Sequence, residues 1–329
     1  NSGDIALGAV GVAGGTVILN AVGSVSDAGA GTNITAETLT IAGAVNVGSE
    51  DDVISTAVDS VQTTTAVTGD LHITDADALI IADVEAAGNI GISAQGTVGV
   101  TAAVTSTGGN VAIAGTAPAS DLLVEGAVTA SLGNITVSAV DELTIDDGGS
   151  LSTNLGTVDL NSGSDMTLTA AGSNVVATNG DINFTVGGDF LTELGSNGLV
   201  TQNGRSTING TVAGNMDLAP SAIAAGAGTV RLDVLGNISG DNLPGTNEID
   251  GGVLIVEQVE HLDGIKTGVS ELTVKQADLI NIQVASIAIP LLNATDDITI
   301  VTTGDEVSLG TVTTNATLSI RDNGVFDAD

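Results

Sequence analysis

Most of the residues in this sequence that could do chemistry are acidic. Carboxylate pairs stand at Asp51-Asp52, Asp75-x-Asp77, Asp146-Asp147 and Asp296-Asp297. Hard oxygen donors in Gly- or Asn-rich turns suit calcium, and Asp146-Asp147, followed by Gly148-Gly149, is the strongest metal candidate of the four. Neither the EF-hand loop spacing nor the Gly-Gly-x-Gly-x-Asp calcium nonapeptide is present. With 40 acidic residues in a chain of 329, adjacent acids also arise from composition alone. Calcium is the one cofactor these pairs would suit, and the sequence points to no other.

A second kind of chemistry would need acids and bases together. Only five Lys and Arg occur, none before Arg205. Arg205 and Arg231 could meet Asp159, Asp181 and Asn183 on one face, a set of types that serves polysaccharide cleavage. Trp and Tyr are absent, however, so aromatic platforms for sugar rings are missing. His72 and His261 lie far apart, with no Ser-His-Asp or His-x-x-x-His spacing, and both are expected at the surface. Zero Cys removes thiol nucleophiles, disulfides and zinc fingers together. The expectation is that the chain is not an enzyme.

A net charge of −35 repels nucleic acid and anionic lipid. No apolar run of about 18 residues is present, so direct membrane insertion is not expected. Aliphatic and β-branched residues dominate, aromatics make up 1%, and 45 glycines punctuate the chain. That composition favours short strands broken by tight turns.

The elements that would position these residues are read from the repeat. Gly109, Gly133, Gly156, Gly180, Gly204, Gly228 and Gly252 are spaced by 23 or 24 residues. Two residues past each stand Val111, Ile135, Val158, Ile182, Ser206, Val230 and Leu254. Four past stand Ile113, Val137, Leu160, Phe184, Ile208, Leu232 and Val256. Such period-2 alternation marks a strand with one apolar face. A second column lies five residues before the glycines (Val104, Val128, Leu151, Val175, Leu199, Ile223), and a third includes Leu143, Met166, Phe190 and Met216, often preceded by Asp or Asn as at Asp165, Asp189 and Asn215. Three short strands per unit cannot bury their apolar sides alone, but units wound on one another can. The predicted fold is all-β: a three-sided, right-handed parallel β-helix of about 24 residues per rung, handedness following the preference of parallel crossovers. At about 4.8 Å per rung, roughly 13 rungs would give a rod on the order of 60 Å long.

The pattern divides the chain into irregular rungs at 1–103, with a loop or irregular rung near 49–68; a regular shaft at 104–256; and irregular rungs at 257–329, for which a separate small β-domain is the alternative. Gly3-Asp4-Ile5, Gly69-Asp70-Leu71 and Gly88-Asn89-Ile90 carry the motif into the first segment. Residues one unit apart become neighbours outside. Asp181 and Arg205 are therefore expected to form an exposed pair, and Asn110, Asn134 and Thr157 a hydrogen-bonded polar ladder. The three Phe, Met166 and Met216 are assigned to the core. Asn-x-Ser/Thr sequons at Asn33, Asn183, Asn209 and Asn293 carry little information at this Thr content.

The recurring Gly-[Asn/Asp/Thr]-[Ile/Val]-x-[Ile/Val/Leu] unit, as in Gly133-Asn134-Ile135-Thr136-Val137 and Gly180-Asp181-Ile182-Asn183-Phe184, resembles the repeats of filamentous haemagglutinin-like adhesins and related giant bacterial surface proteins. The resemblance implies export to the cell surface, an elongated β-helical shaft, and a role in attachment or matrix building. Asn1 opens directly into repeat-like sequence, so the chain reads as a segment of something longer. The functional expectation is a structural or adhesive segment whose partners are copies of itself, further repeats of the same protein, or extracellular polysaccharide and cell surfaces. The alternatives are a calcium-tuned binding module and a polysaccharide-active enzyme.

Overall fold

A computed structural model describes residues 3–169, 172–194, 196, 198–240, 246–303 and 307–322. Among these, every regular element is a β-strand and every strand pairing is parallel, giving a parallel β-solenoid of about 14 turns. The chain forms two compact units, Asn1–Ser164 and Asp165–Asp329.

In the first unit the strands come three to a turn: Val98–Val100, Val104–Ser106 and Val111–Gly115 are followed by Leu122–Val124, Ala127–Ala130 and Ile135–Ala139. Pairing joins Val104 to Val128 to Leu151, and Val111 to Ile135 to Val158, so the aliphatic columns read from the sequence are physical stacks. Alternate residues point inward and are almost fully buried. Residues 49–68 belong to the coil: Ile54–Thr63 is a ten-residue strand that pairs with Ile34–Gly43 on one side and with Leu71–Asp75 and Leu79–Ala86 on the other.

The marker glycines are explained by crowding at a corner. Gly109, Gly133 and Gly156 all have negative φ, so no left-handed conformation demands them. A Cβ on Gly133 would lie 2.2 Å from the Gly109 carbonyl oxygen, and one on Gly156 2.0 Å from that of Gly133. Consecutive turns therefore touch backbone to backbone there. Hydroxyls clip the same corner: Ser106 Oγ donates to the Gly88 carbonyl (2.6 Å) and accepts the Gly109 N–H (2.9 Å), and Thr153 does the same with Gly133 (2.7 Å) and Gly156 (3.0 Å). Ala130 is paired between them.

The second unit departs from constant register. Met166 pairs with Phe190 and Val175 with Leu199, each 24 residues apart, but Ile182 pairs with Ile208 at 26 and Ile208 with Val230 at 22. Ser206 is thus not the residue that stacks on Ile182, and Ile208 is not the one that stacks on Phe184. The reason is a two-residue insertion at the exposed corner before strand Thr207–Val212. Gly210 instead lies over Phe184, and a Cβ there would fall 2.1 Å from the Phe184 ring. Phe184 stacks on Phe190 with ring centroids 5.1 Å apart, so one glycine opens the space that two aromatic rings fill. Phe184, Phe190, Met166 and Met216 are all buried; Phe326 lies outside the described residues.

Beyond residue 254 the turn shortens. Leu254 pairs with Leu272, and Leu262 with Ile280 and then Ile298, each 18 residues on. Strand His261–Thr267 explains the saving, because it pairs back with both Ile238–Gly240 and Ile249–Asp250 but forward with Leu279–Val284 alone. One bent strand has replaced two strands and the corner between them. Turn-on-turn pairing continues through Leu318–Asp322.

Gly210→Val is expected to lower stability by about 1–3 kcal/mol through overpacking against Phe184. Adding Phe184→Leu should recover part of that loss. Urea midpoints of the two variants check the pair, and a neutral Gly210→Val would refute the packing account.

Candidate functional site

The acidic and amide side chains are brought together in lines that run from turn to turn. In the first unit Ser24 N–H donates to Asp4 Oδ1 (2.8 Å), Asp70 N–H to Asn46 Oδ1 (2.9 Å), Asn89 N–H to Asp70 Oδ1 (2.6 Å), Asn110 N–H to Asn89 Oδ1 (2.9 Å), Asn134 N–H to Asn110 Oδ1 (2.8 Å) and Thr157 N–H to Asn134 Oδ1 (2.9 Å). Asn46 closes the gap in this line by donating its Nδ2 to Ser24 Oγ (3.2 Å). The expected ladder of Asn110, Asn134 and Thr157 is therefore present. Its bonds run from side chain to backbone, and it reaches back to Asp4. In all but Asn46 the ladder residue follows a glycine, so the close corner approach sets each side-chain oxygen against the N–H of the next turn.

The second unit repeats the device before its third strand column. Asp189 N–H donates to Asp165 Oδ1 (2.8 Å), Asn215 N–H to Asp189 Oδ1 (2.6 Å) and Asn237 N–H to Asn215 Oδ1 (3.1 Å). Asp181 belongs to the same class. Its Oδ1 accepts the Thr207 N–H (2.6 Å), so the expected pairing with Arg205 is replaced by a backbone contact. The insertion at 202–205 moves Arg205 into an exposed turn and slides Thr207 into its place.

The ion pairs lie elsewhere. Glu257 is bracketed by Lys275 Nζ (2.7 Å) and by the Arg231 guanidinium, from the turns on either side. Hydrogen bonding to Lys275, then the charges of Lys275 and Arg231, hold the Glu257 carboxyl below its usual value. Arg231 thus meets Glu257, while Arg205 stays in the turn: the two arginines do not converge on Asp181. Nothing in the local spelling of Val256-Glu257-Gln258 marks this site; only the turn-to-turn register, which sets Glu257 beside Lys275, reveals it.

The four carboxylate pairs have separate fates. Asp75 is fully buried: its Oδ2 accepts the Thr56 hydroxyl (2.6 Å) and the Val58 N–H (3.0 Å), and its Oδ1 the Asp77 N–H (3.1 Å). It caps the bend of strand Ile54–Thr63, where Thr56 pairs with one strand and Ser60 with the next. Asp77 is exposed, and a hydrogen bond with the Asp75 carboxyl raises its pKa, aided by slight desolvation and by the charges of Asp75 and Asp59. Asp146 and Asp147 lie in a tight turn closed by Gly149 N–H to the Asp146 carbonyl (2.7 Å), with Gly148 at φ +85°. Asp146 Oδ1 accepts the Asp147 N–H (2.8 Å), and Asp147 is exposed. Asp51 is exposed and Asp52 half-buried, while Asp297 Oδ1 accepts the Thr317 N–H (2.8 Å). Among the described residues, no three acidic or imidazole side chains converge as a metal site would require.

Among the shallow grooves on the outer faces of the described residues are the following two. One, of about 220 Å³, runs over the small residues Gly91, Ser93, Ala112 and Ala114 beside Glu50 and half-buried His72. The other, of about 390 Å³, runs past Leu191 between Asp165, Asp189 and Asp217. His261 is exposed. The sequon at Asn33 is sealed, since Asn33 is buried with its Nδ2 on Asp27 Oδ1 (2.6 Å) and the Leu7 carbonyl (3.3 Å). Comparison with protein-family models, curated proteins and solved structures finds no match.

Two predictions follow from this geometry. Asp75→Ala, which strands the Val58 N–H and leaves the Thr56 hydroxyl only its long contact to the Thr74 carbonyl, should cost about 2–3 kcal/mol. Asn110→Ala, at an exposed rung of the ladder, should cost about 0.5–1.5 kcal/mol. Chemical denaturation of both variants tests that order, and an equal cost would contradict it. The second concerns pH. A raised folded pKa at Asp77 contributes stability that is present below its unfolded value and lost as pH rises through the folded one. For Glu257, whose folded pKa is lowered, stability is present above the unfolded value and lost as pH falls through the folded one. Asp77→Asn should therefore reduce the decline on the neutral side of the carboxylate range, and Glu257→Gln the decline on the acid side. Thermal midpoints across pH are the check; a shift in the opposite sense would overturn either assignment.

Proposed function

We propose that this chain is a structural and adhesive segment of an extracellular bacterial surface protein, its solenoid serving as a shaft. The carrying observation is that a set of the acidic side chains is engaged in holding turns together. Asp4, Asp70, Asp165, Asp181, Asp189 and Asp297 each accept a backbone N–H from the next turn, and Asp75 caps a bend. Carboxylates so engaged fix register and leave an acidic, hydrated surface that opposes unwanted edge pairing. The repeat resemblance to surface adhesins supports the same reading.

Its partners, in this proposal, are further coils of the same protein or other copies of this chain, together with extracellular polysaccharide or cell surfaces. The reading does not include catalysis: Arg231 is paired with Glu257, and Arg205 lies apart in a turn. Association between copies should strengthen with salt, because a charge of −35 on each copy is screened within about 10 Å at 0.1 M. Sedimentation over a range of concentration and salt, alongside binding to immobilised acidic and neutral polysaccharides and to bacterial cells, tests the proposal. The expected result is salt-strengthened self-association or surface binding without any shortening of the polysaccharide. A chain that stays monomeric and also binds none of these surfaces, or one that cleaves a polysaccharide, would sink it.

A further inference from the structure

We propose that Asn203 is a modification site, where the side-chain amide is lost spontaneously through a cyclic imide closed by the Gly204 nitrogen. Among the described residues, Asn-Gly pairs occur at Asn179-Gly180, Asn203-Gly204 and Asn209-Gly210. The middle one combines an exposed corner, a Gly N–H without a partner among the described residues and a following Arg.

Asn203 sits in the two-residue insertion that breaks the register of the second unit, a corner where Gly204 and Arg205 are both exposed. Its carbonyl accepts the Ser206 N–H (2.9 Å) and its Oδ1 accepts the Arg205 N–H (3.3 Å), which folds the side chain back over the turn. The Gly204 N–H has no hydrogen-bond partner among the described residues, and Gly204 has no side chain to shield its nitrogen.

The balanced step begins when water or hydroxide takes the Gly204 N–H proton. The nitrogen lone pair attacks Asn203 Cγ, a C–N bond forms, and negative charge passes to Oδ1. That oxygen already faces the Arg205 N–H, a donor aimed where charge develops. The tetrahedral centre collapses as the Cγ–Nδ2 bond breaks, and ammonia leaves with a proton from water. Water then opens the imide at either carbonyl, giving aspartate or isoaspartate. The Arg205 charge beside Gly204 favours the deprotonated nitrogen.

The other two pairs differ from it in charge or in pairing. Asn179-Gly180 is followed by Asp181, whose charge opposes proton loss from Gly180. Asn209-Gly210 lies inside strand Thr207–Val212, paired with Asn183 on one side and Arg231 on the other, and its Nδ2 is held by Asn183 Oδ1 (2.9 Å). Attack there requires the strand to open first. Conversion at Asn203 adds a carboxylate, and in the isoaspartate form also a backbone methylene, at a corner where the turn length changes from 24 to 26. It would mark the age of a long-lived chain.

The test is to store the folded protein at mildly alkaline pH for weeks and follow each Asn-Gly pair by peptide mass mapping with an isoaspartate assay. Peptides cut from the same chain serve as the reference. Asn203 should convert within about threefold of its free peptide, and Asn209 at least about 100-fold more slowly than its own, because paired strands open rarely. Gly204→Ala should slow Asn203 severalfold and leave Asn179 unchanged. Persistence of the Asn203 amide in the folded chain, equal rates at Asn203 and Asn209, or an unaffected rate in Gly204→Ala would each overturn the proposal.

Discussion

The fold depends on satisfying backbone N–H groups at the corners, where one strand has ended and the next has not begun. Inside strands the neighbouring turn supplies a carbonyl for each donor. At a corner the chain swings out of that ladder and its donors need other acceptors; at the inner edge, where the Gly156 N–H is buried, one left unpaired costs about 1–3 kcal/mol. Here the missing acceptors are side-chain oxygens of Asp and Asn one turn away, or the hydroxyls of Ser106 and Thr153 at the inner edge. Because every turn has such corners, the requirement recurs with the repeat, and so do the residues that meet it.

That requirement also accounts for part of the charge. Acceptors on consecutive turns are close neighbours, so a line made only of aspartates would stack like charges. The first unit places Asp70 between Asn46 and Asn89, and the second follows Asp165 and Asp189 with Asn215 and Asn237. Amides deliver the same acceptor geometry without repulsion, while each carboxylate makes a stronger bond to the N–H it meets. The acidity of the chain is thus partly internal scaffolding, and functional proposals that treat every Asp as an available ligand overcount.

Much of this was legible in the sequence. Glycine spacing and alternating aliphatics gave the coil and its columns, because backbone contact at a corner tolerates no Cβ and a filled interior tolerates few polar side chains. The Asn110–Asn134–Thr157 line was readable because identical spacing makes equivalent residues neighbours. Reading failed where spacing and structure part company. Gly204 keeps the 24-residue interval while the strand behind it slides by two, so Asp181 meets Thr207 and not Arg205. The role of Asp75 was hidden for another reason. It occupies an ordinary inward position, and only the bend in the strand beneath it creates the donors it caps. The Glu257 pairing with Arg231 and Lys275 spans intervals of 26 and 18, which no single period would suggest.

Native-state hydrogen exchange tests the central claim most directly. The amides of Asn110, Asn134 and Thr157 belong to polar residues on the outer edge of the coil, and without the ladder they would exchange as loop amides do. If side-chain oxygens of the adjacent turn hold them, they should exchange nearly as slowly as strand amides such as Ile135, and replacing Asn110 with Ala should speed exchange at Asn134 in particular. Fast exchange at all three in the unmodified chain, or an unchanged Asn134 amide in that variant, would contradict the account.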